Sequence, residues 1–289
     1  MDFLARENSG LTRFKSLFLF GVIYVIWTPP IASTVFKQKI SIVINTAIDR
    51  TQVYDEFEIL MSNLVKEGQL IGGSETSFIS GNELISFQTS LEEDSLSAAY
   101  FNHYTKERIE KIENWCGAKI QYEVIGQTPR SSICKCAQPE SYILFTTALN
   151  DSGQLDCGTC GKVVPLYRLK QLSPQDRSDI ISWEADYKSC DGLQLGCVVG
   201  ERWGTKQMSD YRSQLSQYGI KICNRIRELT GVQTFYYLHN YRHIPHRKDI
   251  ARPCPSCNGP WLLKEQWLGY YDFKCDKCSL LSVISPVTA

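Results

Sequence analysis

The sequence predicts an α+β protein built from more than one unit. Residues 37–126 alternate strand-like and helix-like patterns in the order β-α-β-β-α-β. A mixed run of strands and helices follows, with its own cysteine cluster, and the chain closes on two further cysteine pairs. At 289 residues with 43% hydrophobic content, it has length for two or three small cores and too much apolar character for general disorder.

The first 36 residues stand apart. Arg6, Arg13 and Lys15 precede an apolar run from residue 17 to 27, and Pro29 and Pro30 end it. That run is short for a bilayer span of about 20 residues, and the segment around Ile31 makes a poor cleavage site. Three readings stay open: a membrane anchor, a signal peptide, or an over-extended start. The last is preferred, with the protein beginning at Val35 beside the first good strand, and a membrane association is expected only if residues 1–36 are translated.

From residue 37 the elements follow in order. Ile40, Ile42 and Ile44 alternate over residues 39–45, a strand, and Val43 on its other side suggests burial on both faces. Val53, Phe57, Leu60, Met61, Leu64 and Val65 mark a helix over residues 49–66. Gly81-Asn82 separates strands at 76–80 and 84–89 as a hairpin turn. A second helix is expected over 96–115, with Tyr100, Tyr104, Ile109 and Ile112 as its spine, and a strand over 119–125. This is the ferredoxin-like order, a frame that hosts many roles and names none.

The middle region, 127–251, is expected to hold strands at 141–149 and 163–169 and a helix from Ser173-Pro174 to about residue 187. The longest helix is expected over 204–229, where Met208, Tyr211, Leu215, Tyr218, Ile222, Ile226 and Leu229 recur every three or four residues. An aromatic strand is expected over 233–241. Residues 252–289 form the last unit.

The chemistry lies in the cysteines. Eight of twelve fall in two clusters, which reads as metal sites rather than a disulfide framework and points to a reducing compartment, the cytoplasm. Cys254 and Cys257 are separated by seventeen residues from Cys275 and Cys278. Each C-x-x-C grips one edge of a tetrahedron, and two close it around a Zn²⁺, the pattern of a zinc ribbon. Four thiolates leave no open position, so the role is structural. Cys134, Cys136, Cys157 and Cys160 form the second expected zinc site, with twenty residues between its pairs. Cys116, Cys190, Cys197 and Cys223 read as packing residues.

Formal net charge is zero, which argues mildly against a general nucleic-acid binder, but the charge is uneven. Residues 37–126 hold eight Lys/Arg against fourteen Asp/Glu, and residues 221–252 hold seven against two. In the second stretch Arg242, His243, His246, Arg247, Lys248 and Arg252 interleave with Tyr237 and Tyr241, a pattern in which rings stack on bases and cations meet phosphates. A solvated connector with its tyrosines in the core is the competing reading. Glu201-Arg202 reads as an ion pair at a helix start. No Gly-rich phosphate loop, Ser/His/Asp set or histidine triad is present.

The run Cys254-Pro-Ser-Cys257, Trp261-Leu262-Leu263 and Asp272-Phe273-Lys274-Cys275-Asp276-Lys277-Cys278 resembles a bacterial zinc-ribbon-containing family of unknown function to which nucleic-acid binding is ascribed. Glu201-Arg202-Trp203, Leu229-Thr230-Gly231, Cys157-Gly-Thr-Cys160 and Val164-Pro165-Leu166-Tyr167 also look like it. The resemblance covers roughly residues 37–285 and leaves 1–36 outside. The residues together predict a zinc-binding, non-catalytic protein that binds nucleic acid, RNA ahead of DNA, with an enzyme the least expected reading. The alternative is a protein-interaction or inhibitor role of the immunity type, with the ribbon as scaffold.

Overall fold

The computed structural model describes residues 15–19, 22–26, 35–45, 47–72, 77–128, 133–149, 153–241 and 244–286. Within the N-terminal segment, β1 (Lys15–Leu19) and β2 (Val22–Ile26) pair antiparallel. No helix among the described residues is long and apolar enough to cross a membrane.

The first lobe is built from β3 (Phe36–Val43), α1 (Arg50–Lys66), β4 (Ser77–Ser80), β5 (Glu83–Ser90), α2 (His103–Cys116) and β6 (Gln121–Gln127). The strand order is β4-β5-β3-β6 with every neighbouring pair antiparallel. Ile40, Ile42 and Ile44 pack with Phe57, Leu60 and Leu64 of α1 and Ile112 of α2 into one core. Asp49 accepts from the Thr51 amide at 2.9 Å and caps α1. Gly81, at φ 59°, makes the β4–β5 turn.

Two expectations change here. Val43 is 57% exposed, because both helices cover the same face of an antiparallel sheet and leave the other open. The second helix starts at His103, not 96, because Asn102 accepts from the Thr105 amide at 2.8 Å and ends a run of turns. Tyr104 then points outward, and Tyr100 instead packs on Tyr167 with ring centroids 4.8 Å apart.

The second lobe contains β7 (Ser141–Leu144), β8 (Leu155–Cys157), α3 (Pro174–Gly196), α4 (Glu201–Ser209), α5 (Gln214–Thr230), β9 (Gln233–Tyr237), α6 (His246–Ile250), β10 (Leu262–Trp267), β11 (Tyr271–Cys275) and β12 (Leu280–Ser282). Its strands form one sheet in the order β10-β11-β12-β9-β7-β8. β9 lies parallel to both β7 and β12, and the sheet runs unbroken across residue 252. Helix α3 opens with a capping box between Ser173 and Asp176.

The helix expected over 204–229 is two helices. The chain leaves α4 at Ser209, and Ser213 starts α5 by accepting from the Ser216 amide at 3.1 Å while donating to the Gln207 carbonyl at 2.5 Å. Both helices line the same core, so the apolar period survives the break. The strand expected over 163–169 is absent as well. Val163 makes only isolated bridges, to Ile133 and Asp156, and Leu166–Arg168 is a 3₁₀ turn. Pro165 has no N–H to extend a ladder.

Close approach fixes α5 on the sheet. A Cβ on Gly219 would lie 2.1 Å from the Tyr236 ring, so only glycine admits this contact. The lobes meet through a small apolar cluster, Leu91 and Ile71 against Ile133 and Val163, and through polar groups. Glu67 after α1 pairs with Arg177 of α3, both largely buried, and Glu92 receives Arg168 and, at 2.6 Å, the Tyr167 hydroxyl.

Candidate metal centres

The loop before β7 carries Cys134 and Cys136, and the exit of β8 carries Cys157 and Cys160. Their four sulfurs lie within 4.8 Å of one another. Local backbone bonds hold this shape. The Cys134 amide donates to the Val163 carbonyl at 2.8 Å, the Cys157 amide to Lys162 at 2.8 Å, and the Gly161 amide to Cys157 at 2.7 Å. A C-x-C also works as a pair here, since the Cys136 amide points back at the Cys134 sulfur at 3.4 Å.

Cys254 and Cys257 precede β10, and Cys275 and Cys278 bracket the turn between β11 and β12. Their sulfurs also lie within 4.8 Å of one another. The Cys257 and Cys275 sulfurs are 3.7 Å apart. A disulfide needs about 2.05 Å, whereas a metal–sulfur distance of about 2.3 Å in a regular tetrahedron spaces sulfurs by about 3.8 Å. The spacing suits a metal. Both groups can hold one, each with four soft donors.

A shared device shapes the three C-x-x-C turns. Gly161, Asn258 and Ser279, each next after the second cysteine, have φ of 67°, 56° and 51°. This left-handed step swings following amides toward the sulfurs. Cys257 shows the consequence, with its thiol drawn down to about 7 by the Gly259 amide and the Cys278 thiol. Cys157 is buried, which raises it, but the Cys160 and Thr159 amides prevail and it ends lowered. Burial pushes Cys134, Cys160 and Cys254 up, and Cys275 up to about 12. Ionising all four thiols of a group therefore calls for a cation among them.

The two centres share the sheet. Cys157 pairs with Tyr142 near the start of β7, and Cys275 pairs with Leu280 at the start of β12. Both centres thus sit at the N-terminal ends of the parallel strands. Trp267, from β10, reaches the first centre: a Cβ on Gly158 would be 3.0 Å from its ring and 2.0 Å from the Ser141 hydroxyl. The Trp267 ring also packs edge-on to Phe235 of β9 at 5.4 Å.

The basic and aromatic residues separate. Tyr237 is buried against Phe145, Tyr270 and Tyr271 beneath the β10–β11 turn, so its ring is closed to a base. Arg252 lies over Phe273 at 4.1 Å and Trp261 at 4.8 Å, and pairs with buried Asp249 at 3.0 Å. Its cation is committed to the fold. Tyr241 stacks on His239, whose imidazole burial draws down to about 4. His246, Arg247 and Lys248 stand exposed on α6. Arg242 and His243 lie outside the described residues. Apolar clusters cover both faces of this sheet, which is what buries Tyr237, as the reading with tyrosines in the core expected for it.

Residues 136–239 match a domain of unknown function, DUF2310, and residues 245–288 match another, DUF8594. An uncharacterised protein of Haemophilus influenzae is 30% identical over 196 residues, covering 67% of this chain and 75% of the relative. A second uncharacterised protein of that organism is 33% identical over 147 residues, covering 51% and 72%. A solved structure of a conserved protein of unknown function from Bacteroides thetaiotaomicron is 16% identical, with a TM-score of 0.26, covering 32% of this chain and 96% of that one. That likeness is too slight to bear on the fold.

Proposed function

We propose, for a chain that belongs to the same bacterial family of unknown function as its Haemophilus influenzae relatives, that it is a non-catalytic zinc protein in which two Zn²⁺ ions hold a binding scaffold in shape. The observation that carries the reading is the pair of closed four-cysteine groups. Four thiolates in a tetrahedron select zinc or an iron–sulfur centre, and the paired-knuckle pattern favours zinc. The two clusters of thiols suit a reducing compartment, which supports the cytoplasm as the proposed location. Elemental analysis of the native chain tests the reading: two zincs per chain are expected, and iron with sulfide overturns it.

The strand order β4-β5-β3-β6 supports reading residues 37–126 as a ferredoxin-like unit. Residues 127–251 and the ribbon at 252–289 are then halves of one lobe, because β9 and β12 are neighbours.

Nucleic-acid binding, RNA ahead of DNA, now rests on the exposed His246, Arg247 and Lys248 of α6. With these three side chains as the phosphate contacts, the salt slope on single-stranded RNA would be about −2. Charge reversal at Arg247 and Lys248 should abolish retention; unchanged binding removes the reading. The protein-interaction alternative draws on the α3–α4 corner, where Val198, Val199 and Trp203 are 86%, 73% and 55% exposed.

A further inference from the structure

The first lobe leaves one sheet face open, and its register shows what lies there. Lys39 pairs across to Phe87 and, on the other side, to Glu123. Phe78 pairs to Ile85, and Ser80 to Glu83. The face opposite the helices therefore presents Phe78, Phe87 and Val43 among Lys37, Lys39, Glu83 and Glu123. Phe78 and Phe87 are 43% and 40% exposed, with ring centroids 6.0 Å apart, and they shield Ile85 at 8%. An antiparallel sheet facing water normally carries polar residues there.

We propose that this face is the interface of a homodimer, occupied by the same face of a second copy of the chain. Charge selects the occupant. The lobe holds eight Lys/Arg against fourteen Asp/Glu, which repels a phosphate backbone. The face itself is balanced, with two lysines and two glutamates, and Lys39 already meets Glu83 at 3.0 Å. A balanced face of mixed sign is self-complementary under a two-fold axis, where each lysine can find a glutamate of the other copy. The area fits a weak dimer. β3 and β5 hold eight residues each, β6 seven and β4 four, and at about 4.8 Å by about 3.3 Å per residue they present about 430 Å² per copy. The pair buries about 860 Å², the size of a weak, concentration-dependent interface. The aromatic pair forms its apolar centre and the charges its rim. The proposal is independent of the metal centres and of the nucleic-acid reading.

Sedimentation velocity of the full chain over a concentration series tests it. The chain should sediment at twice its monomer mass, and Phe87→Glu and Phe78→Asp should each weaken association by at least about 100-fold. Both side chains are surface-exposed, and unchanged far-UV circular dichroism will show that the variants fold. Trp203→Glu, on the exposed corner of the second lobe, should leave the dimer intact. Cross-linking of mixed heavy and light chains should join Lys37 or Lys39 of one copy to Lys37 or Lys39 of the other. A monomer throughout the series, a dimer untouched by both phenylalanine variants, or inter-copy cross-links confined to the second lobe would overturn the proposal. So would nucleic acid co-purifying with the wild-type chain and released by the same variants.

Discussion

The two lobes solve the same problem with different means. The first packs two amphipathic helices onto strands of up to eight residues and closes its core with apolar side chains and a few buried polar ones that bond each other, Gln38 to Ser90 and Gln88 to Ser86. The second uses strands of three to six residues, two of them only three long, and places a cysteine group beside its sheet at two points. Cys134, Cys157, Cys254 and Cys275 belong to the same core as Trp183, Tyr236 and Phe273. Short strands bury too little to fix their own register. On the proposed zinc reading the thiol groups of the second lobe take over that task, so metal should matter to one lobe and not to the other.

The sharpest way to break this contrast is Cys275→Ser. It removes one of the four candidate ligands of the C-terminal centre, and on the proposed zinc reading it should forfeit a large part of the roughly 10 kcal/mol that complete metal binding supplies. Near-UV signal from the tryptophans and tyrosines of the second lobe should collapse at temperatures where the first lobe stays folded. Glu67→Ala comes next, because it leaves the Arg177 guanidinium buried without its carboxylate where the lobes meet. The expected cost is about 3–5 kcal/mol, seen in urea melts as the two lobes losing coupling. Gly219→Ala puts a methyl into the Tyr236 ring and should cost about 1–3 kcal/mol in the second lobe only. Ser213→Ala removes the α5 cap and should cost about 1 kcal/mol; no change in melting would show that the Gln207 carbonyl contact is dispensable.

The same contrast governs what was legible in the sequence. β3 and α1 were readable because one face of each is buried, so period two and period 3.6 appear directly in Ile40–Ile42–Ile44 and Val53–Phe57–Leu60. The metal-ligand sets were readable because a C-x-x-C turn is local and its spacing survives any fold around it. The α4–α5 break was hidden, since Asp210 to Ser213 contains no glycine or proline and the apolar period continues into a shared core. β12 is too short to show a period. Tyr237 and Arg252 misled because charge and aromaticity say nothing about which face a neighbouring hairpin will cover, and here the β10–β11 turn lies over one and Asp249 holds the other.

Native mass spectrometry joined to hydrogen exchange, before and after metal removal by a chelator, tests the division of labour most directly. Two zinc ions per chain should leave together with amide protection across residues 133–286, while residues 36–127 keep theirs. A metal-free chain as purified, or protection in the second lobe that persists after stripping, would contradict a lobe held by its metals.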